Sequence, residues 1–111
     1  MIKFTFYYMT NCPACNIAKP TIESLKKEFI SSKEVFFEDH NVSNDNWAEA
    51  TRKGVESTPT VHIYYEDALL EFAEGPMPLL AYRSMIERQL RKLDTTKLNL
   101  QKQKHNAKLN Q

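Results

Sequence analysis

The stretch Met9–Pro20 reads MTNCPACNIAKP, and the interpretation of the whole chain starts from it. It contains Cys12 and Cys15, the two cysteines of the chain, with only two residues between them. The Cys-X-X-Cys spacing is compatible with a redox dithiol, with half of a zinc site, or with coincidence. The rest of the sequence has to discriminate among these three interpretations.

The composition indicates one globular domain. The chain has 111 residues, 41% hydrophobic and 26% charged, which is enough for a single core. Residues 1–94 carry 11 basic and 14 acidic side chains, whereas residues 95–111 carry 4 lysines and no acid. We predict a domain over 1–94 and a basic polar tail over 95–111, an extension or a frayed helix. The net charge of +1 makes nucleic acid an unexpected partner.

The sequence gives no sign of a membrane segment or an export signal. No stretch approaches the about 20 apolar residues that a membrane helix needs. The start, MIKFTFYYMTN, has a short apolar run and no small-residue cleavage site. We therefore expect a cytoplasmic protein without membrane partners. In that compartment two close cysteines are more often catalytic or metal-binding than a permanent disulfide.

The hydrophobic pattern of the first forty residues predicts a strand, a helix and a second strand. Ile2–Tyr8 is rich in β-branched and aromatic residues and ends before TNCP. Pro13 suits the first turn of a helix, and an apolar stripe at helical spacing follows it. Pro20 lies inside this helix, where a proline removes one hydrogen bond. The second strand is Glu34–His40.

The second half predicts a short helix, a hairpin and a last amphipathic helix. The short helix passes through residues 47–50. Strands Thr60–Tyr65 and Leu69–Ala73 are joined by a turn too short for a crossover, so they should pair antiparallel. An apolar stripe over 79–93, with Pro78 in the first turn, indicates the last helix.

The order βαβ, then α, then ββα defines the fold class. The first two strands should run parallel, because a helix connects them as a crossover. The last two strands add an antiparallel hairpin. We predict an α/β fold with a four-stranded mixed sheet and helices on both faces.

The position of Cys12 favours the redox interpretation. It stands where a strand has ended and a helix begins, so unpaired N–H groups and the positive end of the helix dipole surround it. The pKa of a thiol, about 8.5 when free, falls to roughly 3.5–7.5 at such points. Cys15 lies one turn further along and is more shielded. Cys12 can then attack a substrate disulfide, and Cys15 can resolve the mixed disulfide.

A zinc site is an alternative interpretation, but the chain offers too few ligands for it. The two cysteines are two ligands short of a tetrahedral set. The imidazoles of the chain are those of His40, His62 and His105. The first two lie in predicted strands, where structural histidines are common, and the third lies in the tail. We predict no metal and no bound cofactor.

At this point the sequence resembles the thioredoxin-fold proteins, over roughly residues 2–93. The resemblance rests on the strand, the CPAC motif and the helix, on Pro20 five residues after Cys15, on Pro59 before the third strand in STPTVHIYY, and on Gly75 after the hairpin. In the family the proline before that strand is cis and packs against the dithiol. An X-Pro bond is the kind of peptide bond with an accessible cis form.

The resemblance also implies the roles of the site residues. Cys12 and Cys15 would be the catalytic pair and form the redox-active disulfide. The backbone of Thr58, before cis Pro59, would pair with an extended segment of a protein substrate. The substrate-binding surface would be completed by Tyr8, Pro13 and Gly75.

Two departures from the thioredoxin pattern concern the site directly. Asn11 precedes the first cysteine where thioredoxins have tryptophan. Phe6 occupies the place of the buried aspartate that helps to deprotonate the second cysteine. His40 is a candidate substitute for that acid. CPAC itself is similar to the glutaredoxin motif, but EGPMP lacks the Gly-Gly and acidic pair with which glutaredoxins hold glutathione.

The leading hypothesis is a thiol–disulfide oxidoreductase that reduces protein disulfides. The resemblance to compact bacterial and bacteriophage proteins suggests an electron donor to ribonucleotide reductase. Its partners would be disulfide-containing proteins and a reductase or glutathione system that recharges it, and we expect a monomer. Two alternatives stay open: a redox-inactive binding module, and a zinc or iron–sulfur site shared between two chains through Cys12 and Cys15.

Overall fold

The elements follow one another in the predicted order. The computed structural model describes residues 1–43 and 46–95 with their side chains, and residues 96–109 as helical backbone. The elements are β1 (Ile2–Tyr8), α1 (Pro13–Glu28), β2 (Val35–Asn41), α2 (Asn46–Arg52), β3 (Thr60–Tyr65), β4 (Ala68–Glu74) and α3 (Leu79–Leu109). In this part of the chain no helix is both long and apolar enough to cross a membrane.

The four strands form one mixed sheet in the order β2-β1-β3-β4. β1 and β2 run parallel, with α1 connecting them, whereas β1 pairs antiparallel with β3 and β3 with β4. The predicted α/β fold with a parallel first pair and an antiparallel hairpin is confirmed. Because β1 is central, the loop that follows it is held by neighbours on both sides.

One face of the sheet packs against α1 and α3. Every second residue of β1 points to this side; Ile2, Phe4 and Phe6 are at most 2% exposed, and Tyr8 at the end of the strand is partly buried. Burying a large apolar side chain stabilises the fold by about 1.5–3 kcal/mol, so this core fixes α1 against the sheet. The core residues are Ile2, Phe4, Phe6, Ala18, Ile22, Leu25, Val35, Val61, Ile63, Tyr82, Met85 and Ile86.

The opposite face is covered in part by α2. Tyr7, Val42, Ala50 and Val55 form a second buried cluster, and Trp47 packs against it. Helices therefore lie on both faces of the sheet, as predicted. Farther from α2, Phe36 and Phe72 on this face are exposed to solvent.

The element boundaries differ from the predictions by one or two residues. β2 is shifted one residue toward the C-terminus, and α2 and β4 are longer than predicted. Pro78 does not belong to the first turn of α3. It precedes Leu79, and its carbonyl accepts a hydrogen bond from the Ala81 N–H at 3.0 Å, so it lies at the cap position, where a proline also loses nothing.

The backbone of α3 continues beyond the predicted domain boundary, to Leu109. The side chains of residues 96–111, including His105, lie outside the described part of the chain. The division into a domain over 1–94 and a tail over 95–111 stays a prediction.

Candidate active site

Cys12 is the N-cap residue of α1. Its backbone is extended (φ −106°, ψ 106°), and its carbonyl accepts the first helical hydrogen bond from the Asn16 N–H at 3.0 Å. The Cys15 N–H donates to Cys12 Sγ at 3.1 Å. A sulfur atom thus takes the place of the usual capping oxygen. Pro13 occupies the start of the helix, where its missing N–H has no partner to lose.

Cys12 and Cys15 form a disulfide bridge, with a Cα–Cα distance of 5.2 Å. The two residues differ in accessibility. Cys12 is half-buried, whereas Cys15 is only 3% exposed. An incoming molecule therefore meets the Cys12 sulfur first, and the Cys15 sulfur lies behind it.

The start of α1 favours a negative charge on Cys12 when the disulfide is reduced. The Cys15 N–H points at the sulfur, and the dipole of the 16-residue helix is positive at this end. No acidic residue lies in the first turn of α1 to oppose that field. Anions bind at helix starts for the same two reasons.

The loop before β3 brings Thr58 to the Cys12 sulfur. The Thr58–Pro59 peptide bond is cis, the isomer that the sequence predicts, and Pro59 is buried. Cys12 Sγ lies 3.6 Å from Thr58 Oγ1 and 3.9 Å from the Thr58 carbonyl oxygen. Residues that are 46 positions apart in the sequence are thus in contact at the site.

Gly75 is hydrogen-bonded to the Thr58–Pro59 loop. Its N–H donates to the Pro59 carbonyl at 2.8 Å, and its φ of +81° is a left-handed conformation that favours glycine. The buried Tyr82 hydroxyl donates to the Gly75 carbonyl at 3.4 Å and accepts from the Met77 N–H at 3.2 Å. Gly75 therefore bonds to Pro59, the residue after the one that contacts Cys12 Sγ.

A cleft of about 410 Å³ opens beside Cys15. Its walls come from the end of β1, the loop after it, the first turns of α1 and the end of β2. They are formed by Phe6, Tyr8, Met9, Thr10, Asn11, Cys15, Asn16, Lys19 and Asn41. The structure thus places Tyr8 beside the dithiol, and Pro13 at the exposed start of α1.

Phe6 fills the place of the missing acid with an apolar ring. It is 2% exposed and stacks on Tyr8, with the ring centroids 5.6 Å apart. Among the described residues that line the cleft there is no carboxylate. Asn11 precedes Cys12 in a left-handed conformation (φ 59°), which asparagine adopts more readily than other side chains do.

His40 does not replace the missing acid, and that interpretation is wrong. Its ring stacks on Tyr7, with centroids 5.6 Å apart, and its Nε2 lies 2.7 Å from the Glu38 carboxylate. Tyr7 belongs to the cluster under α2, whereas Cys15 lies with Phe6 on the α1 side of the sheet. The sheet separates His40 from the dithiol.

His62 is a structural residue in a buried hydrogen-bonded chain. Its Nδ1 is 2.7 Å from the Tyr64 hydroxyl, which is 3.0 Å from the Tyr7 hydroxyl. Burial lowers the pKa of His62, and burial together with the Tyr64 hydrogen bond raises the pKa of Tyr7. Across the described residues, no three His, Cys, Asp or Glu side chains are grouped to hold a metal ion.

Two contacts at the site are absent from the sequence prediction. One is the approach of the Thr58 hydroxyl to the Cys12 sulfur, which depends on the packing of a distant loop. The other is the position of Lys19, whose Nζ lies 5.7 Å from the centroid of the Tyr8 ring. The spacing of four residues places Lys19 on the same helical face as Cys15, but no signal in the sequence indicates its contact with Tyr8.

Among the comparisons with known proteins, the comparison of structures finds similar proteins and the comparisons of sequence find none. No protein-family model matches the sequence, and no curated protein matches it significantly. The structure is similar to Deadhead, a germline-specific thioredoxin of Drosophila melanogaster, at 23% identity over 78% of this chain and 79% of that one, with a TM-score of 0.66.

Two further thioredoxins are similar to the same extent. A mutant thioredoxin of Halobacterium salinarum is 22% identical over 78% of this chain and 73% of that one, with a TM-score of 0.67. Thioredoxin-2 of a malaria parasite, a component of its protein secretion machinery, is 16% identical over 79% of this chain and 82% of that one, with a TM-score of 0.71. At these identities the likeness concerns the fold. The chain has a thioredoxin-like fold, with a disulfide-forming Cys-X-X-Cys pair at the start of its first helix.

Proposed function

We propose that the protein is a thiol–disulfide oxidoreductase that reduces disulfides in protein substrates through Cys12 and Cys15. The observation that carries the proposal is the capping geometry of Cys12. Its sulfur accepts the Cys15 N–H at 3.1 Å, at the positive end of α1, and is half-buried rather than enclosed. A thiolate is both stabilised and accessible at such a position.

The reaction proceeds in two exchanges. The Cys12 thiolate attacks one sulfur of the substrate disulfide, a mixed disulfide forms, and the other substrate sulfur leaves as a thiolate that takes a proton from water. The Cys15 thiolate then attacks Cys12 Sγ and releases the second substrate sulfur. The substrate gains two electrons, and the protein ends with the Cys12–Cys15 disulfide that the structure contains.

Substrate binding is proposed along the Thr58–Pro59 loop. Thr58 lies just before the ladder of β3, which begins at Thr60, and its carbonyl is 3.9 Å from Cys12 Sγ. A substrate segment that pairs with this backbone would bring its own disulfide to Cys12. Recognition of backbone rather than side chains permits many protein substrates. In this proposal Tyr8, Pro13 and Gly75 complete the binding surface.

The narrower expectations come from the sequence. They are that the protein is a cytoplasmic monomer and, from its resemblance to bacterial and bacteriophage proteins, that it donates electrons to ribonucleotide reductase. Regeneration of the dithiol needs two electrons from a flavin reductase or from glutathione. The segment EGPMP, without a Gly-Gly and acidic pair, favours the reductase.

Insulin reduction driven by dithiothreitol tests the proposal. We expect wild-type protein to accelerate the precipitation of the insulin B chain and Cys12→Ser to give the rate of dithiothreitol alone. Equal rates for the two proteins would contradict an enzymatic role and favour the binding module. Metal analysis of the protein purified under reducing conditions tests the hypothesis of a metal site shared between two chains. Such a site would hold about half a zinc ion per chain.

A further inference from the structure

The second exchange poses a chemical problem that the site must solve. Cys15 attacks as a thiolate, but it is 3% exposed and burial disfavours the charged form. The neighbouring position on β1 holds Phe6, an apolar residue that is itself 2% exposed. No carboxylate lines the cleft among the described residues. Some other group has to stabilise the negative sulfur.

Lys19 is the charged side chain that lines this cleft in the described part of the chain. It follows Cys15 by four residues on α1, so the two side chains lie on the same face of the helix. Side chains on a helix tilt toward its N-terminus, and this tilt directs the Lys19 stem toward Cys15.

Tyr8 holds the lysine in this place. The Lys19 Nζ lies 5.7 Å from the centroid of the Tyr8 ring, a cation–π contact. The ring is fixed in turn by stacking on Phe6. Phe6, which takes the place of the acid, and Tyr8 thus form a stacked pair that holds the Lys19 ammonium group.

The other charges near this face are occupied with one another. Asp39 of β2 pairs with Lys26 of α1 at 2.6 Å, and neither residue lines the cleft. The titratable side chains that do line it are those of Tyr8, Cys15 and Lys19.

We propose that Lys19 is a positioning residue for the resolving step: its ammonium group, held over the Tyr8 ring at the cleft, stabilises the Cys15 thiolate that attacks the mixed disulfide. This inference rests on the proposed function. The Cys15 thiol gives its proton to water in the cleft, and the Lys19 ammonium group takes no part in the proton transfer. The new bond joins Cys15 Sγ to Cys12 Sγ, the bond to the substrate sulfur breaks, and the departing thiolate takes up a proton from solvent.

The test is a pH titration of Cys15 by thiolate absorbance at 240 nm, in the Cys12→Ser background. Removal of the charge in Lys19→Met should move the midpoint to higher pH and lower the thiolate fraction at pH 7 about threefold to tenfold. Lys19→Arg, which keeps the charge, should restore most of the wild-type midpoint. In Lys19→Met with Cys12 present, release of substrate from the mixed disulfide should slow by about two- to fourfold. This rate should change less than the thiolate fraction, because a more basic thiolate is a better nucleophile.

Lys27→Met is the matched control. It removes the same charge from an exposed position on the last turn of α1, about 18 Å from Cys15 along the helix axis, and should leave the midpoint unchanged. Equal midpoints for Lys19→Met and Lys27→Met would overturn the proposal. The titration needs no substrate, so a failure of insulin reduction would overturn the oxidoreductase function whichever way the midpoint moves.

Discussion

At the scale of single residues, the chemistry of the site depends on which atoms face each sulfur. Cys12 Sγ has the Cys15 N–H on one side and the Thr58 hydroxyl at 3.6 Å on the other. In the oxidised protein the second contact is a van der Waals approach to a disulfide. In the reduced protein the hydroxyl can donate to the thiolate, and hydrogen bonds to charged groups are the stronger ones.

Thr58→Val therefore tests the hydroxyl with little change in shape. Loss of one donor should cost the Cys12 thiolate about 1 kcal/mol, a factor of about five in the thiolate fraction. We expect the titration midpoint of Cys12, measured by absorbance at 240 nm in Cys15→Ser, to move to higher pH.

Thr58→Ser is the control for this substitution, because it keeps the hydroxyl and removes only a methyl group. It should titrate like the parent protein. If valine and serine at this position give the same midpoint, the hydroxyl has no part in stabilising the thiolate.

At the scale of elements, the buried chain Tyr7–Tyr64–His62 ties β1 to β3. These strands are adjacent in the sheet, and the chain passes from one to the other through two hydroxyl groups. Buried polar groups that lose their partners cost about 1–3 kcal/mol each. The chain therefore contributes to the pairing of the two strands that carry the site loops.

The lowered pKa of His62 predicts a pH-dependent stability. Below pH 6.5, its ordinary pKa, the unfolded chain takes up a proton that the folded protein does not. The free energy of unfolding should therefore fall as the pH is lowered through this region, by up to about 1.4 kcal/mol per pH unit. Well above pH 6.5, where the imidazole is neutral in both the unfolded and the folded chain, the group should contribute no slope.

Urea unfolding at several pH values checks this, with His62→Asn as the comparison. Asparagine can still bond to the Tyr64 hydroxyl and does not titrate. Glu28, Glu38 and Glu71 have pKa values lowered from 4.5, so they act at lower pH. If the free energy of unfolding of His62→Asn still falls between pH 6.5 and 5, groups other than His62 cause the pH dependence.

The elements could be predicted from the sequence because their signals are local. The run Ile2–Tyr8 and the strand Thr60–Tyr65 were predicted with the observed bounds, since both are continuous β-branched and aromatic stretches. Pro78 was misplaced by one position because a proline is equally acceptable at the cap and in the first turn. The role suggested for His40 was wrong because the face on which a strand residue lies depends on register, which is a tertiary property.

At the scale of the whole molecule, the hydrophobic core that the structure describes runs through the predicted domain. Among the residues whose side chains are described, the last buried member of this core is Ile86 and the last partly buried one is Leu93. Cys12 and Thr58, which meet at the site, come from loops at the same end of the sheet, at the end of β1 and the start of the antiparallel β3. The sequence predicted this meeting through the resemblance of STPT, but it could not supply the distances between the side chains.

Truncation after residue 94 tests the proposed domain. Since the described residues of both hydrophobic clusters lie within 1–94, we expect the shortened protein to unfold cooperatively and to reduce insulin at a rate within about twofold of the full chain. Thermal unfolding followed by circular dichroism and the insulin assay measure these properties. Loss of cooperative unfolding would show that the continuation of α3 is part of the folded unit.

In the proposed mechanism Cys12 attacks the substrate first and Cys15 resolves the mixed disulfide. A single turnover followed by intact-mass spectrometry tests it directly, with reduced wild-type protein, Cys12→Ser and Cys15→Ser each mixed with insulin and no other reductant. Wild type should lose the mass of two hydrogens, and insulin should gain them. Cys15→Ser should gain the mass of whole insulin, because a second interchain disulfide still joins its two chains, and should retain it, whereas Cys12→Ser should gain nothing. Adduct formation by Cys12→Ser as fast as by Cys15→Ser would contradict the assignment.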